Sequence, residues 1–462
     1  MGIGSVFEQV FRMGRNMLLT RLLAPEAFGV MAIVYSTSSI VDMLAEIGVK
    51  EAIIQNPKGS DLRFMNSAWW LAFGRGVGMY AVLFAAAPWV AKFYGNAELV
   101  PLMRTALLSI IFLGAQSSKA FVALKEMKFK RWAFIQNGGG IFGSLIVVGL
   151  AFVVRSVWAL AIGFAAENFM RCVISFVICP FRPRLELDKE SIKSLLTFSK
   201  GVFGLSLLNL IFARTDIFVL GKLYPAAQLG IYTMGIYLIQ VPVSFITNVL
   251  SQTLMPSFAQ IQDEHSRINR IVIQVTAVIV LLGMPSLIFI ALSSRSILAL
   301  LYGSRYISAA LPLTVAALVA LVNLVNSIIT MVFYATGCPQ FHRRCVFIMA
   351  VLMIIFIYPA AKEFGMVGGQ VAALIAVVAG YAVQFIRMKH LTQLDFGRYA
   401  KSFPLPILVS CAVFGVFLAI RHVVVVNGVL LNLILGLLGC VVALSICGKV
   451  FLKSLTAEAG TT

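Results

Sequence analysis

Residues Arg21–Val30 read RLLAPEAFGV, and 201 positions later Lys222–Ile231 read KLYPAAQLGI. The echo continues outward from there. Phe93-Tyr94-Gly95 recurs as Leu301-Tyr302-Gly303, and the loop ending Phe129-Lys130-Arg131 recurs as Phe341-His342-Arg343. The offset drifts from 201 to 208 to 212, as insertions in loops make it drift. Six apolar segments precede the second copy. An even number of crossings gives the two copies the same orientation in a membrane, related by an axis along its normal rather than by inversion.

The composition requires that membrane. Of 462 residues, 60% are hydrophobic and only 12% charged, well beyond the balance of a soluble protein. A spanning helix needs about 20 mostly apolar residues. Such windows recur from end to end and lack the alternation of barrel strands. The fold class expected is an all-α integral membrane protein: two six-helix lobes in parallel pseudo-twofold repeat plus two C-terminal helices, about 14 transmembrane helices in all. The lobes are expected at 1–178 and 200–388, with a cytoplasmic amphipathic linker at 179–199. The two added helices and a cytoplasmic tail then occupy 389–462.

Arg12 and Arg15 fall inside the first apolar stretch rather than before it, so no secretory signal pattern opens the chain and the N-terminus is expected to be retained. The seven cysteines form no C-x-x-C pair and read as buried reduced thiols. All four histidines fall in predicted loops, which leaves an intramembrane metal site without its usual ligands. No metal and no cofactor is expected.

Alternate loops carry twenty-two of the 37 lysines and arginines, among them Lys50, Lys125, Lys128, Arg131, Arg184 and Lys189, and the opposite loops carry eight. By the positive-inside rule both termini are cytoplasmic. The formal net charge of +19 is thus largely topological, and nucleic acid is not needed to explain it. In the linker, Ile192, Leu195 and Leu196 share one helical face. A short amphipathic helix at the cytoplasmic interface, coupling the lobes, is expected beside the plainer reading of a solvated connector.

Seven cations remain within the spans: Arg12, Arg15, Arg75, Arg104, Lys119, Arg171 and Arg214. Each costs about 2.5 to 3.5 kcal/mol at a helix centre on insertion scales, so it is kept only in a polar cavity, in an ion pair or by snorkelling. Arg104 stands near a span end and is expected to snorkel. Arg12, Arg15, Arg75, Lys119, Arg171 and Arg214 are the candidate substrate-binding residues. Arg12 and Arg15, three apart, share a helix face and can point into one cavity.

The acids Asp42, Glu46, Glu167 and Asp216 are candidate coupling or structural groups, and Glu8 is a possible partner for Arg12. Glu167 and Arg171 stand i, i+4 in the favourable order and can neutralise each other. Arg214 and Asp216, two apart, cannot, so each needs another partner. The surplus of buried guanidinium points to an anionic substrate, and phosphate suits the planar donor fork.

Other patterns yield less. Gly74-Arg75-Gly76-Val77-Gly78 lies in mid-span with no strand before it, so a glycine packing face is expected instead of a phosphate loop. Gly138-Gly139-Gly140 with Gly143 reads as close packing or a hinge. Pro242 and Pro285 interrupt spans, where kinks suit a gate. No catalytic triad, metal-binding set or carboxylate pair of hydrolytic spacing argues for an enzyme.

The string RLLAPEAFGV, then Asp42–Gly48 leading to Ala52–Gln55, then Ala213-Arg214-Thr215-Asp216 with Gly221-Lys222-Leu223, and Met255–Ile261, together resemble the polysaccharide transporter branch of the multidrug/oligosaccharidyl-lipid/polysaccharide exporter superfamily. The likeness runs from residue 1 to about 390. It implies a Wzx-type flippase that turns a polyprenyl-pyrophosphate-linked oligosaccharide across the bacterial inner membrane by alternating access. The expected partners are then that anionic lipid-linked oligosaccharide, membrane lipids, and a polysaccharide polymerase with its chain-length machinery. Family members carry a longer cytoplasmic leader before the first span. Competing readings are a cation-coupled drug antiporter of the same superfamily, whose cavity should be lined with acids, a membrane polymerase or glycosyltransferase, which should carry a large extramembrane loop, and a lipid scramblase.

Overall fold

The computed structural model describes residues 2–44, 49–423, 433–446 and 448, and every regular element among them is a helix. The side chains of Glu8, Asp42 and Leu196, and all of Glu46, lie outside the described residues. The chain divides into two compact units, Met1–Thr233 and Met234–Thr462.

The first unit runs through α1 (Gly2–Leu22), α2 (Pro25–Leu44), the short α3 (Val49–Gln55) and the long α4 (Leu62–Tyr94). Three pieces follow, α5 (Leu99–Ala106), α6 (Leu108–Gly114) and α7 (Ser118–Lys125), then α8 (Phe129–Val154), α9 (Val157–Ile178) and α10 (Lys189–Leu223). Helix α11 (Ala226–Gln260) begins in the first unit and ends in the second. The second unit continues with α12 (His265–Leu301), α13 (Ala310–Ala335), α14 (Pro339–Phe364), α15 (Val367–Thr392), α16 (Phe396–Ala400), α17 (Pro404–Val423) and a last helix, Leu433–Ile446.

Ten described helices are long and apolar enough to cross a membrane, or eleven if the pair Leu99–Gly114 and Ser118–Lys125, bent by 53°, is one span. Helices α1 and α2, at 21 and 20 residues, are of spanning length beside these ten. Leu433–Ile446 is shorter. Pro242 and Pro285 sit within helices that continue past them, so neither ends its span.

The repeat read from the sequence is a repeat of backbone devices. Gly95 and Gly303 close α4 and α12 with φ of +68° and +98°, a region that L side chains rarely adopt. Inside the first unit the two copies of the opening string touch one another reciprocally. A Cβ on Gly29 would lie 1.8 Å from the carbonyl oxygen of Ala226, and one on Gly230 would lie 1.8 Å from that of Pro25. Pro25 and Ala226 hold the same place in the two copies, as do Gly29 and Gly230. Lys222, in the second copy, donates to the Phe93 carbonyl at the end of α4 and lies over the Phe93 ring at 4.9 Å. A cation against the last carbonyls of a helix is the favourable placement.

The linker does not lie free. Trp70 Nε1–H donates to the Arg184 carbonyl at 2.9 Å, Asn66 Nδ2 to Glu186 Oε2 at 3.1 Å, and the Asp188 amide to Ser67 Oγ at 2.8 Å. Asp188 then caps α10 by accepting from the Ser191 amide at 2.9 Å. From Lys189 the helix runs unbroken to Leu223, and Leu195 is fully buried beside Val49, Ile53, Phe64 and Phe181. The apolar face expected at the membrane interface is therefore seated, at Leu195, on protein.

Candidate functional site: one carboxylate among three arginines

Helices α8 and α9 run side by side because glycine removes side chains where they meet. A Cβ on Gly143 would fall 2.4 Å from Glu167 Cβ, and one on Gly139 would fall 2.0 Å from Arg171 Cγ. The third step reverses the roles, with Gly163 of α9 facing Val147 of α8 at 1.9 Å from Cγ2. Glycines at i and i+4 thus receive Glu167 and Arg171, themselves i and i+4 apart. The glycine run is a close-packing seat.

Glu167 is buried, its side chain only 8% exposed. Its Oε1 accepts from Arg12 Nη2 at 2.5 Å and from Arg171 Nη2 at 2.7 Å, and Arg15 Nη1 lies 3.7 Å from Oε2. Arg15 also donates to Ser144 Oγ at 3.2 Å and to Asn16 Oδ1 at 3.3 Å. The spacing of Arg12 and Arg15 on α1 thus brings both to one partner. That partner stands 155 residues away from Arg12 in the chain. Among the described side chains, one carboxylate is shared by three guanidinium groups. Tyr35 and Phe164, edge to face at 4.7 Å, join α2 to α9 one turn along from Glu167.

The other candidates lie elsewhere. Arg75, half-buried, stands on α4 beside Gly76, which packs against the Ile110 carbonyl, while Gly74 and Gly78 face open space. Only Gly76 of the three therefore belongs to a packing face. Lys119 is exposed on α7, beyond the bend, near Glu126, whose pKa is lowered chiefly by its hydrogen bond with Lys128 and least by Lys119. It belongs to the charged rim and not to the Glu167 cluster, because the expected span breaks at residues 115–117. Asp216 finds its partner in Tyr232, whose hydroxyl donates to Oδ2 at 2.8 Å. Arg214 remains half-buried on α10. Asp42 and Glu46 fall outside the described side chains.

Reading all histidines as loop residues overlooked one polar cluster in the second unit. His342 lies in the first turn of α14, where Gln384 Nε2 donates to its Nδ1 at 3.0 Å. Thr330 Oγ1 donates to Gln384 Oε1 at 3.2 Å, and Gln384 is 1% exposed. The signal available was the mid-span polar pair Thr330 and Gln384, each flanked by apolar residues on neighbouring spans.

A bundle of membrane-length helices holding an arginine cluster around one buried acid within one unit is the architecture of a multi-pass membrane transporter. The profile of the polysaccharide biosynthesis protein family matches residues 18–311, and the chain belongs to that family. It is 23% identical over 410 residues to the lipopolysaccharide biosynthesis protein WzxC of Escherichia coli (strain K12), covering 85% of this chain and 80% of that one. The teichuronic acid biosynthesis protein TuaB of Bacillus subtilis (strain 168) is 24% identical over 393 residues, with 82% and 80% covered. In fold, the chain is similar to the inward closed conformation of the lipid II flippase MurJ, with a TM-score of 0.82 at 13% identity, covering 98% of this chain and 99% of that one.

Proposed function

We propose that this protein is a flippase that moves a polyprenyl-pyrophosphate-linked oligosaccharide across the bacterial cytoplasmic membrane by alternating access of its two repeat lobes, for surface polysaccharide biosynthesis. The observation that carries the reading is the sharing of Glu167 by Arg12, Arg15 and Arg171. One shared acid fixes three guanidinium groups side by side, and their clustering suits an anion. The pyrophosphate of the carrier is such an anion, and the guanidinium fork suits it. Arg75 and Arg214 add further positive charge along the path, and Lys119 meets the head group at the membrane face. Both termini are cytoplasmic on this reading, and a polymerase with its chain-length machinery receives the product.

The drug-antiporter reading asks for a carboxylate offered to a cationic substrate. Glu167 is instead saturated with cations. The two readings separate in reconstituted vesicles given a fluorescent lipid-linked oligosaccharide in one arm and a lipophilic cationic dye with a proton or sodium gradient in the other. Movement of the first and not the second supports the flippase. The reverse pattern contradicts it.

A further inference from the structure

Arg104 is the one intramembrane cation left out of the reading above, and the expectation for it was snorkelling from a span end. Its guanidinium carbon lies 3.9 Å from the centre of the Phe84 ring, and Phe84 stands ten residues, about 15 Å, before the last residue of α4. The backbone beneath it is pinned, since the Tyr80 hydroxyl donates to the Arg104 carbonyl at 3.0 Å. Among the described residues its side chain makes no ion pair and no hydrogen bond, and its Nε is buried without an acceptor.

A ring face offsets part of the cost of a desolvated guanidinium but gives its N–H groups nothing to donate to. A guanidinium held over a ring face, with its buried Nε–H unmet, has donors to offer an acceptor. The opening is to one side, because Phe84 is 42% exposed while Leu102, Met103 and Ala106 bury the other face of α5. Tyr80 is spent on the backbone, and no carboxylate competes for the site among the described residues.

We propose that Arg104, held against the Phe84 ring in the seam between α4 and α5, is a second anion-binding position that takes a lipid-borne phosphate, separate from the Glu167 cluster. The phosphate comes either from the carrier pyrophosphate of the transported substrate, in which case the position rests on the flippase reading, or from an ordinary anionic phospholipid. The chemistry is the same and the experiment separates the sources.

The test is lipid binding by native mass spectrometry of the purified full chain in detergent, with polyprenyl pyrophosphate as one probe and phosphatidylglycerol as the other. Arg104→Gln should weaken binding about tenfold in one of the two arms, and Arg104→Lys, which keeps the charge and loses the fork, should weaken it less. Loss confined to the pyrophosphate arm assigns the site to the substrate. Loss confined to the phosphatidylglycerol arm assigns it to a resident lipid. Wild-type binding of both probes by folded Arg104→Gln overturns the proposal. Should that variant not accumulate, Phe84→Leu, which removes the platform and keeps the charge, takes its place, with weakened binding in support and wild-type binding against. An Arg12→Gln/Arg15→Gln variant run in parallel keeps the two claims apart. If it loses the pyrophosphate and Arg104→Gln binds both probes as wild type, only the second site falls, and if it binds the pyrophosphate as wild type, the flippase site falls whatever Arg104→Gln does.

Discussion

Gly29 and Gly230, equivalent residues of the two repeat copies, meet with their backbones in contact, each facing the carbonyl that the other copy presents four residues earlier. The symmetry explains why both copies kept glycine at this place, since any side chain on either would enter the opposing carbonyl.

Gly29→Ala and Gly230→Ala should each destabilise the protein by about 1–3 kcal/mol through overpacking. The double variant should fall short of the sum, because separating the helices once relieves both clashes. Gly78→Ala, whose added methyl meets nothing within 4 Å, should be neutral or stabilising by up to about 1 kcal/mol. Thermal midpoints of the purified variants give the comparison, and equal behaviour at all three positions would remove the crossing from the explanation.

Gly143→Ala tests the seat of the cluster. The methyl would fall 2.6 Å from the Glu167 Cα, a backbone atom that cannot swing aside. Substrate movement per folded molecule should drop at least tenfold even where folding survives, since α9 must shift and carry Glu167 and Arg171 with it. Gly149→Ala, in open space on the same helix, serves as the control.

The helices and the repeat were legible because they are written locally. Apolar windows give the spans, and glycines forced by a positive φ or a backbone contact recur at the same place in each copy. The ion pairs were only half legible. Glu167 and Arg171 declare themselves by their i, i+4 spacing, whereas the approach of Arg12 and Arg15 depends on α1 meeting the α8–α9 pair, which no local pattern encodes. The bend before α7 is marked by the polar run Gln116-Ser117-Ser118-Lys119, a signal that averaging over a span-length window dilutes, so Lys119 reads as lying within a span.

The linker strap makes a prediction about acid. Hydrogen bonds from the Ser191 hydroxyl and amide hold the Asp188 carboxyl below its ordinary pKa. A depressed folded-state pKa adds stability that is fully present above the unfolded value and lost as pH falls through the folded one. Protection of the first turn of α10 from amide hydrogen exchange should therefore weaken below about pH 4. Asp188→Ala should show that weakening already at neutral pH.

In the second unit, Gln384→Leu should lower stability by about 1–3 kcal/mol, because it removes the amide that Thr330 and His342 share and leaves them only each other and the Asn326 carbonyl. The thermal midpoint reads this directly.

The most direct test is to remove the arginines and then their acid. Arg12→Ala, Arg15→Ala and Arg171→Ala should each weaken binding of polyprenyl pyrophosphate by about 1.5 to 3 kcal/mol, with Lys restoring only part of it. A purely structural ion-pair network would behave otherwise, for its arginine variants would lose folded protein and Glu167→Gln would relieve that loss while leaving binding intact. The measurement is pyrophosphate binding and vesicle flipping, normalised to folded protein, for the triple Ala variant with and without Glu167→Gln. Loss of both activities that Glu167→Gln does not restore is the expected result. Wild-type binding and flipping by the triple variant would contradict the anion site.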